Sequence, residues 1–219
     1  MEAIYQRWFY EKQAETAIKN LRRNCFEAKY IPDAKAAFKE IMGRVSKEAC
    51  IGVGDSLTLK EIGVIDALEK GGYQLLNPWK KGITRPESLA LRRKALTSDI
   101  FLTGTNAVTL DGKLVSIDGL GNRVAGMIFG PLKVVVAVGA NKIVANVEEA
   151  IARVKNIAAP INAHKHDLKP PFRSPCTDTG FCSECRPPAR LCCNTVIIEG
   201  CSRDQERICV LIIGEPLGF

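Results

Sequence analysis

The chain has 219 residues, 46% of them hydrophobic, with a net charge of +7 and nine cysteines. This length and apolar content suffice for one sizeable core, and the absence of a charged leader followed by a long apolar stretch argues against secretion. The longest apolar runs, VVVAVG (134–139) and ICVLIIG (208–214), fall far short of the roughly 20 residues that span a bilayer, so a soluble, cytoplasmic protein without a membrane span is expected.

In chain order, residues 2–24 read as an amphipathic helix in which Tyr5, Trp8 and Phe9 recur at helical spacing, a packing face that a second subunit would also cover in a homodimer. Asp33 caps a second helix reaching about Val45. ACIGV (49–53) is a short apolar strand, followed by a Gly54-Asp55-Ser56 turn and a helix closed by Gly71 and Gly72. YQLL (73–76) is the next strand, Thr84-Arg-Pro-Glu87 is a capping box opening a helix, and DIFLTG (99–104) is again a strand. Strand and helix in repeated succession imply parallel pairing and an α/β layered fold.

The pattern breaks at AVTLDGKLVSIDG (107–119), where Asp111-Gly112 between two β-branched runs predicts a tight hairpin inserted into the parallel sheet. KVVVAVG (133–139) suits a central strand, and Asn146 with Glu149 starts a helix that is expected to end before AAPINA. His164 and His166 offer an H-x-H pair to a metal site, but no nearby carboxylate pattern completes a hydrolytic one, and a surface loop is the expectation. A Pro-rich stretch, Lys169 to Pro175, leads into a cysteine-rich segment, which reads as an appendage on a completed core. The division expected is 1–168 as core and 169–219 as cysteine segment and closing strands of the same domain. TVIIEG (195–200) and ICVLIIG pair with each other or join the sheet edge, and the pattern leaves both open.

Three groups of residues carry chemistry. Gly54, Asp55 and Ser56 follow a strand and open a helix, where free amides favour an anion, although the same turn is simply a good helix cap. Thr105, Asn106, Asn122 and Arg123 surround the hairpin with groups suited to a carboxylate or phosphate. Asp111 and Asp118 are the candidate catalytic carboxylates there. The alternative is structural: Asp and Gly make the turn, Asn122 caps a helix and Arg123 pairs with Asp118. The third group is CTDTGFCSECRPPARLCC (176–193), which holds five of the nine cysteines. In a reducing cytosol such clustering favours metal or cluster ligation or dithiol redox chemistry over structural disulfides. The basic residues are scattered pairs without interleaved aromatics, so no nucleic-acid partner is expected.

The string TGTNAVTLDGKLVSIDGLGNRVAG, followed by FGP, VVVAVGANKIV, AAPINA and SPCTDTGFCSECRPPARLC, resembles the LUD-domain family of lactate utilization proteins, whose fold is similar to that of ribose-5-phosphate isomerases and CoA transferases, which implies a three-layer α/β/α, Rossmann-like, mostly parallel sheet. The resemblance implies a component of the oxidation of lactate to pyruvate, acting beside iron–sulfur oxidoreductase subunits. It also implies that Cys176, Cys182, Cys185 and Cys192 form a four-thiolate set for an iron–sulfur cluster, with zinc as the alternative and Cys193 as a substitute for Cys192. The chain lacks the aspartate-rich loop of the isomerases and a glutamate nucleophile for CoA transfer, so neither activity carries over. The competing reading is a stand-alone enzyme or binding protein for a small carboxylate or phosphorylated ligand.

Overall fold

The computed structural model describes residues 3–201 and 206–219. In chain order, α1 (Ala3–Arg23) leads into β1 (Glu27–Ile31), α2 (Ala34–Met42), β2 (Cys50–Val53), α3 (Leu57–Ile62), α4 (Val64–Lys70), β3 (Gln74–Leu76), α5 (Arg85–Lys94) and β4 (Ile100–Thr103). The hairpin strands β5 (Ala107–Thr109) and β6 (Leu114–Asp118) precede α6 (Asn122–Ile128), β7 (Lys133–Gly139), β8 (Ile143–Val144) and α7 (Val147–Arg153). A π turn over Val154–Ala158 joins α7 to α8 (Ala159–His166), and α9 (Cys176–Thr179), β9 (Asn194–Ile198) and β10 (Ile208–Ile213) complete the chain.

Six strands form a wholly parallel sheet in the order β1-β10-β7-β4-β2-β3. Two of its interior strands, β7 and β10, are buried on both faces, and their side chains alternate between two cores, as strand geometry requires. Val134, Val136 and Val138 of β7, with Ile208, Val210 and Ile212 of β10, pack with Ala14, Ala17, Ile18 and Leu21 of α1 and with Met127 of α6. Val135, Ala137, Cys209, Leu211 and Ile213 point the other way, onto Ala37 and Ile41 of α2 and Leu59, Ile62, Ile65 and Leu68 of α3 and α4. Helices on both faces of a parallel sheet give the three-layer α/β/α arrangement.

The hairpin does not extend that sheet. It founds a second, four-stranded sheet in the order β8-β5-β6-β9, with β5 antiparallel to β6 and β6 antiparallel to β9. The reason lies in its burial: Val108 and Leu114 face the α1 core, while Ala107 and Val115 face Ala150 of α7, so the ribbon is a layer sandwiched between helices. Nor do the two closing strands pair. β9 runs beside β6, and β10 inserts between β1 and β7. A fully apolar strand of six residues, buried throughout, belongs at the centre of a parallel sheet and not at its edge.

β1 has no counterpart among the elements expected from sequence. EAKYI carries two charges in five residues, which edge position tolerates: Lys29 bonds Glu40, and Arg44 bridges Glu27 and Glu40. The helix before AAPINA does not stop there. The π turn shifts the hydrogen-bond register, and Pro160 sits at the start of α8, where a missing N–H costs little. His164 and His166 are therefore helical.

The Asp111-Gly112 turn forms as expected, with Gly112 at φ 84°. A Cβ there would lie 2.5 Å from the backbone carbon of Asn20 and the nitrogen of Leu21 in α1. Gly112→Ala is expected to lower stability by about 2 kcal/mol, since it combines left-handed strain with a backbone clash. Thermal unfolding checks this, and an unchanged midpoint would show that α1 moves aside without penalty.

Along α1, burial begins at Ala14, and Tyr5, Trp8 and Phe9 are 60%, 59% and 45% exposed, so the aromatic face is not packed within the chain. Among the described residues no helix is long and apolar enough to cross a membrane.

Candidate functional site

A cavity of about 720 Å³ opens at the carboxyl ends of β2 and β4, the end of a parallel sheet where ligands bind. Asp55, Ser56, Thr105, Asn106, Asp118, Asn122 and Arg123 line it, and so do Cys176, Cys182, Cys185, Cys192 and Cys193. The loop residues and the cysteines, up to 138 positions apart in sequence, share one space.

Several of the loop residues turn inward to hold the walls together. Ser56 caps α3 by accepting from the Leu59 amide, and that helix is only six residues long. Gly54 does not line the cavity; a Cβ on it would collide with the Thr103 hydroxyl and approach the Arg123 stem, so glycine lets two loops close on each other. Thr105 is buried, with its hydroxyl on Val115 O and Ser116 Oγ. Asp118 accepts from the amides of Gly119, Arg123 and Val124, so this carboxylate, and not Asn122, satisfies the first turn of α6. Asp111 is at the hairpin tip, bonded to Thr109 and paired with Lys113, and is not brought to the cavity.

Arg123 is the most committed of these side chains. Its guanidinium donates to Gly104 O at 3.0 Å, Ser116 Oγ at 3.4 Å, Asn106 Oδ1 at 2.9 Å and Ile117 O at 2.7 Å. All four terminal N–H bonds are thus engaged, and burial pushes its pKa down against the opposing pull of Asp118 and Asp55. The cation therefore braces the loops after β4 and β6, and its charge reaches the cavity without a carboxylate beside it.

Three cavity side chains escaped the sequence reading, and a fourth, His166, was expected in a surface loop. Arg92 of α5 bonds Asn122 Oδ1 at 3.2 Å and stacks over Trp79 at 4.7 Å. Lys142, just after β7, is 5% exposed and donates to Thr58 Oγ1 at 3.1 Å. Lys165 reaches Asp55 at 2.6 Å, and His166 lies 3.4 Å from the same oxygen. Burial alone would raise the Asp55 pKa, but the bonds to His166 and Lys165 outweigh it and hold the carboxyl well below the usual range. Only the π turn, which carries the helix on to His166, puts these two residues over the Asp55 loop.

Charge is the site's dominant property. Among the described residues, none of Arg92, Arg123 and Lys142 lies within ion-pair distance of a carboxylate, although all three line the cavity. Buried positive charge without a countercharge favours an anionic ligand, whose binding would offset the cost of desolvation.

The cysteine segment forms the facing wall. Arg190 fastens it by donating to Cys185 O at 3.2 Å and Cys192 O at 3.1 Å, and Glu184 bridges Arg190 and Lys155. The Cys193 amide bonds Asp118 O at 3.0 Å, which ties the segment to β6 beside the loops. No two described cysteines are joined as a disulfide. Burial raises the thiol pKa of Cys176, and Cys185, Cys192 and Cys182 raise it further; Cys185 responds likewise to Cys192 and Cys182. Cys176 and Cys185 thus lie near enough to the neighbouring thiols to be affected by them, and the donor chemistry of the four fits a thiolate-bound metal or cluster. The arrangement is open: among the described residues no three His, Cys, Asp or Glu side chains converge tightly enough to hold a metal ion.

The family model of the LUD domain matches residues 14–213. The chain belongs to the LUD domain family. That family is associated with lactate utilization. The crystal structure of a DUF162-family protein from Deinococcus radiodurans is similar in fold, with a TM-score of 0.50 at 15% identity, covering 94% of this chain and 97% of that one. No curated protein matches the chain. Within this LUD domain the matched region includes β1 through β10, the cavity loops and the cysteine segment.

Proposed function

We propose that this LUD domain is an electron-transferring component of lactate oxidation that binds a small anion in its cationic cavity. The observation that carries the reading is the shared space: the uncompensated cations and the four cysteines line one cavity, so an anionic substrate or product would lie against the redox wall. In this reading Cys176, Cys182, Cys185 and Cys192 hold an iron–sulfur cluster once the segment closes around it, with zinc as the alternative metal. A cluster there would supply one-electron acceptance and release. The chain's own residues supply the rest: Arg92 and Lys142 attract the anion, Arg123 fixes the loops, and Arg190 holds the cysteine backbone in place.

The partners would be iron–sulfur oxidoreductase subunits that take or deliver the electron in the cytoplasm, and the exposed Tyr5–Trp8–Phe9 face of α1 would pack against a second copy in a homodimer. Protein purified without oxygen is expected to contain near-stoichiometric iron and sulfide with a visible absorption band, and Cys182→Ser and Cys185→Ser are each expected to lose both. Metal-free wild-type protein, unaffected by the substitutions, would remove the cluster from this reading and leave the anion site.

A further inference from the structure

We propose that Lys142 is the reactive amine of the cavity and that it condenses with the carbonyl of a small oxo acid. The inference rests on the anion-binding half of the proposed function and is independent of ligation by the cysteines.

The geometry is that of a confined amine with no anionic partner. Lys142 is 5% exposed and lies on the cavity wall. Its hydrogen-bond partner is the neutral hydroxyl of Thr58 at 3.1 Å, in the first turn of α3. A Cβ on Gly218 would lie 2.8 Å from Nζ and 2.6 Å from Thr58 Oγ1, so the backbone at 217–218 packs over the amine and glycine leaves it room. The charged groups around it are mostly of its own sign. Arg153 of α7 and Arg123 of α6 repel the ammonium form, and only Glu61 of α3 favours it. A structural ammonium is placed beside carboxylates; this one is buried among cations and a hydroxyl. Desolvation beside other cations is how a lysine becomes a nucleophile at neutral pH, and burial with these neighbours brings its pKa down to about 7.

The ligand class is set by the same walls. An amine attacks an electrophilic carbonyl carbon, and Arg92 and the other cations of the cavity hold an anionic group on the same molecule. An oxo acid carries both. The step balances without any further reagent. The Nζ lone pair forms the C–N bond, the two protons the amine nitrogen loses pass to the carbonyl oxygen, the C–O bond breaks as that oxygen leaves as water, and an imine remains. The Thr58 hydroxyl is placed to relay a proton between nitrogen and oxygen.

The test treats the intact chain with pyruvate or oxoglutarate and cyanoborohydride, then reads intact mass and peptide maps, with binding of the same acids measured separately by calorimetry. Expected is one stable adduct per chain on Lys142, the mass of a carboxyethyl group for pyruvate. Lactate, which has no carbonyl, should give none. Lys142→Arg keeps the charge but cannot condense, and should give no adduct with either acid. Binding without an adduct, or an adduct spread over Lys155, Lys165 and Lys169 or retained in Lys142→Arg, would overturn the role of Lys142 while leaving the anion site. Absence of binding to either acid would overturn both.

Discussion

Replacing Arg123 with methionine is expected to destabilise the domain by about 3–5 kcal/mol, a fall of about 10 °C in melting temperature. The guanidinium meets Gly104 O, Ile117 O, Asn106 Oδ1 and Ser116 Oγ at once. Hydrogen bonds from a charged donor contribute about 1.5–3 kcal/mol each, and removing the donor strands its acceptors in a buried place. The sum overstates the loss because water from the cavity re-solvates some of them. Arg123→Lys should recover less than half of it, since a point charge cannot reproduce the planar fork. Arg92→Met, at the cavity rim, should instead spare the melting temperature and weaken anion binding. An Arg123→Met protein within about 0.5 kcal/mol of wild type would mean that the loops after β4 and β6 hold together without the cation.

Lys142→Met is expected to have the opposite sign: it should stabilise the protein near neutral pH. The amine titrates at about 7 in the fold against 10.5 in the open chain. Between those values the unfolded chain holds a proton that the native state lacks, so wild-type stability rises with pH across that window. At and below pH 7 the fold bears nearly the whole cost, which at about 1.4 kcal/mol per tenfold has an upper bound of about 5 kcal/mol. The methionine variant escapes that cost. Its advantage, measured by urea unfolding at a series of pH values, should be full at and below pH 7 and fall away as the pH rises from there to the open-chain value of 10.5. A constant difference between the two proteins across that range would show that the lysine is charged in the fold. Retaining a residue that lowers stability makes sense where its chemistry is used.

What could be read from sequence divides along physical lines. Strands buried on both faces, such as VVVAVG and ICVLII, show as unbroken apolar runs, and local caps such as Thr84 with Glu87 depend only on neighbours, so both were legible. β1 was not, because an edge strand keeps its charges. The order of strands was not, because an apolar run states that it is covered but not by what. In the site, Asp55, Asn106 and Arg123 were legible as polar groups near strand ends. That Arg123 spends its donors on backbone carbonyls, and that Arg92, Lys142 and Lys165 converge from three separate elements, depends on tertiary geometry that spacing does not encode. The cysteines were visible as a cluster, but their place opposite the cations was not.

The position of β10 between β1 and β7 has a consequence for how the protein is made. As the chain leaves the ribosome, β1 and β7 must wait, with unpaired edges, until residues 208–213 emerge. The cysteine segment is therefore synthesised before the sheet can close, and it is bracketed by β7 and β10 like a loop drawn through a buckle. Any ion met by the nascent thiols is met by an incomplete sheet, and a protease that cuts the chain ahead of the segment takes a central strand away with it. Synthesis of the segment and closure of the fold are thus ordered in time, and a chaperone that shields the open edge between β1 and β7 would also control when the thiols are first presented.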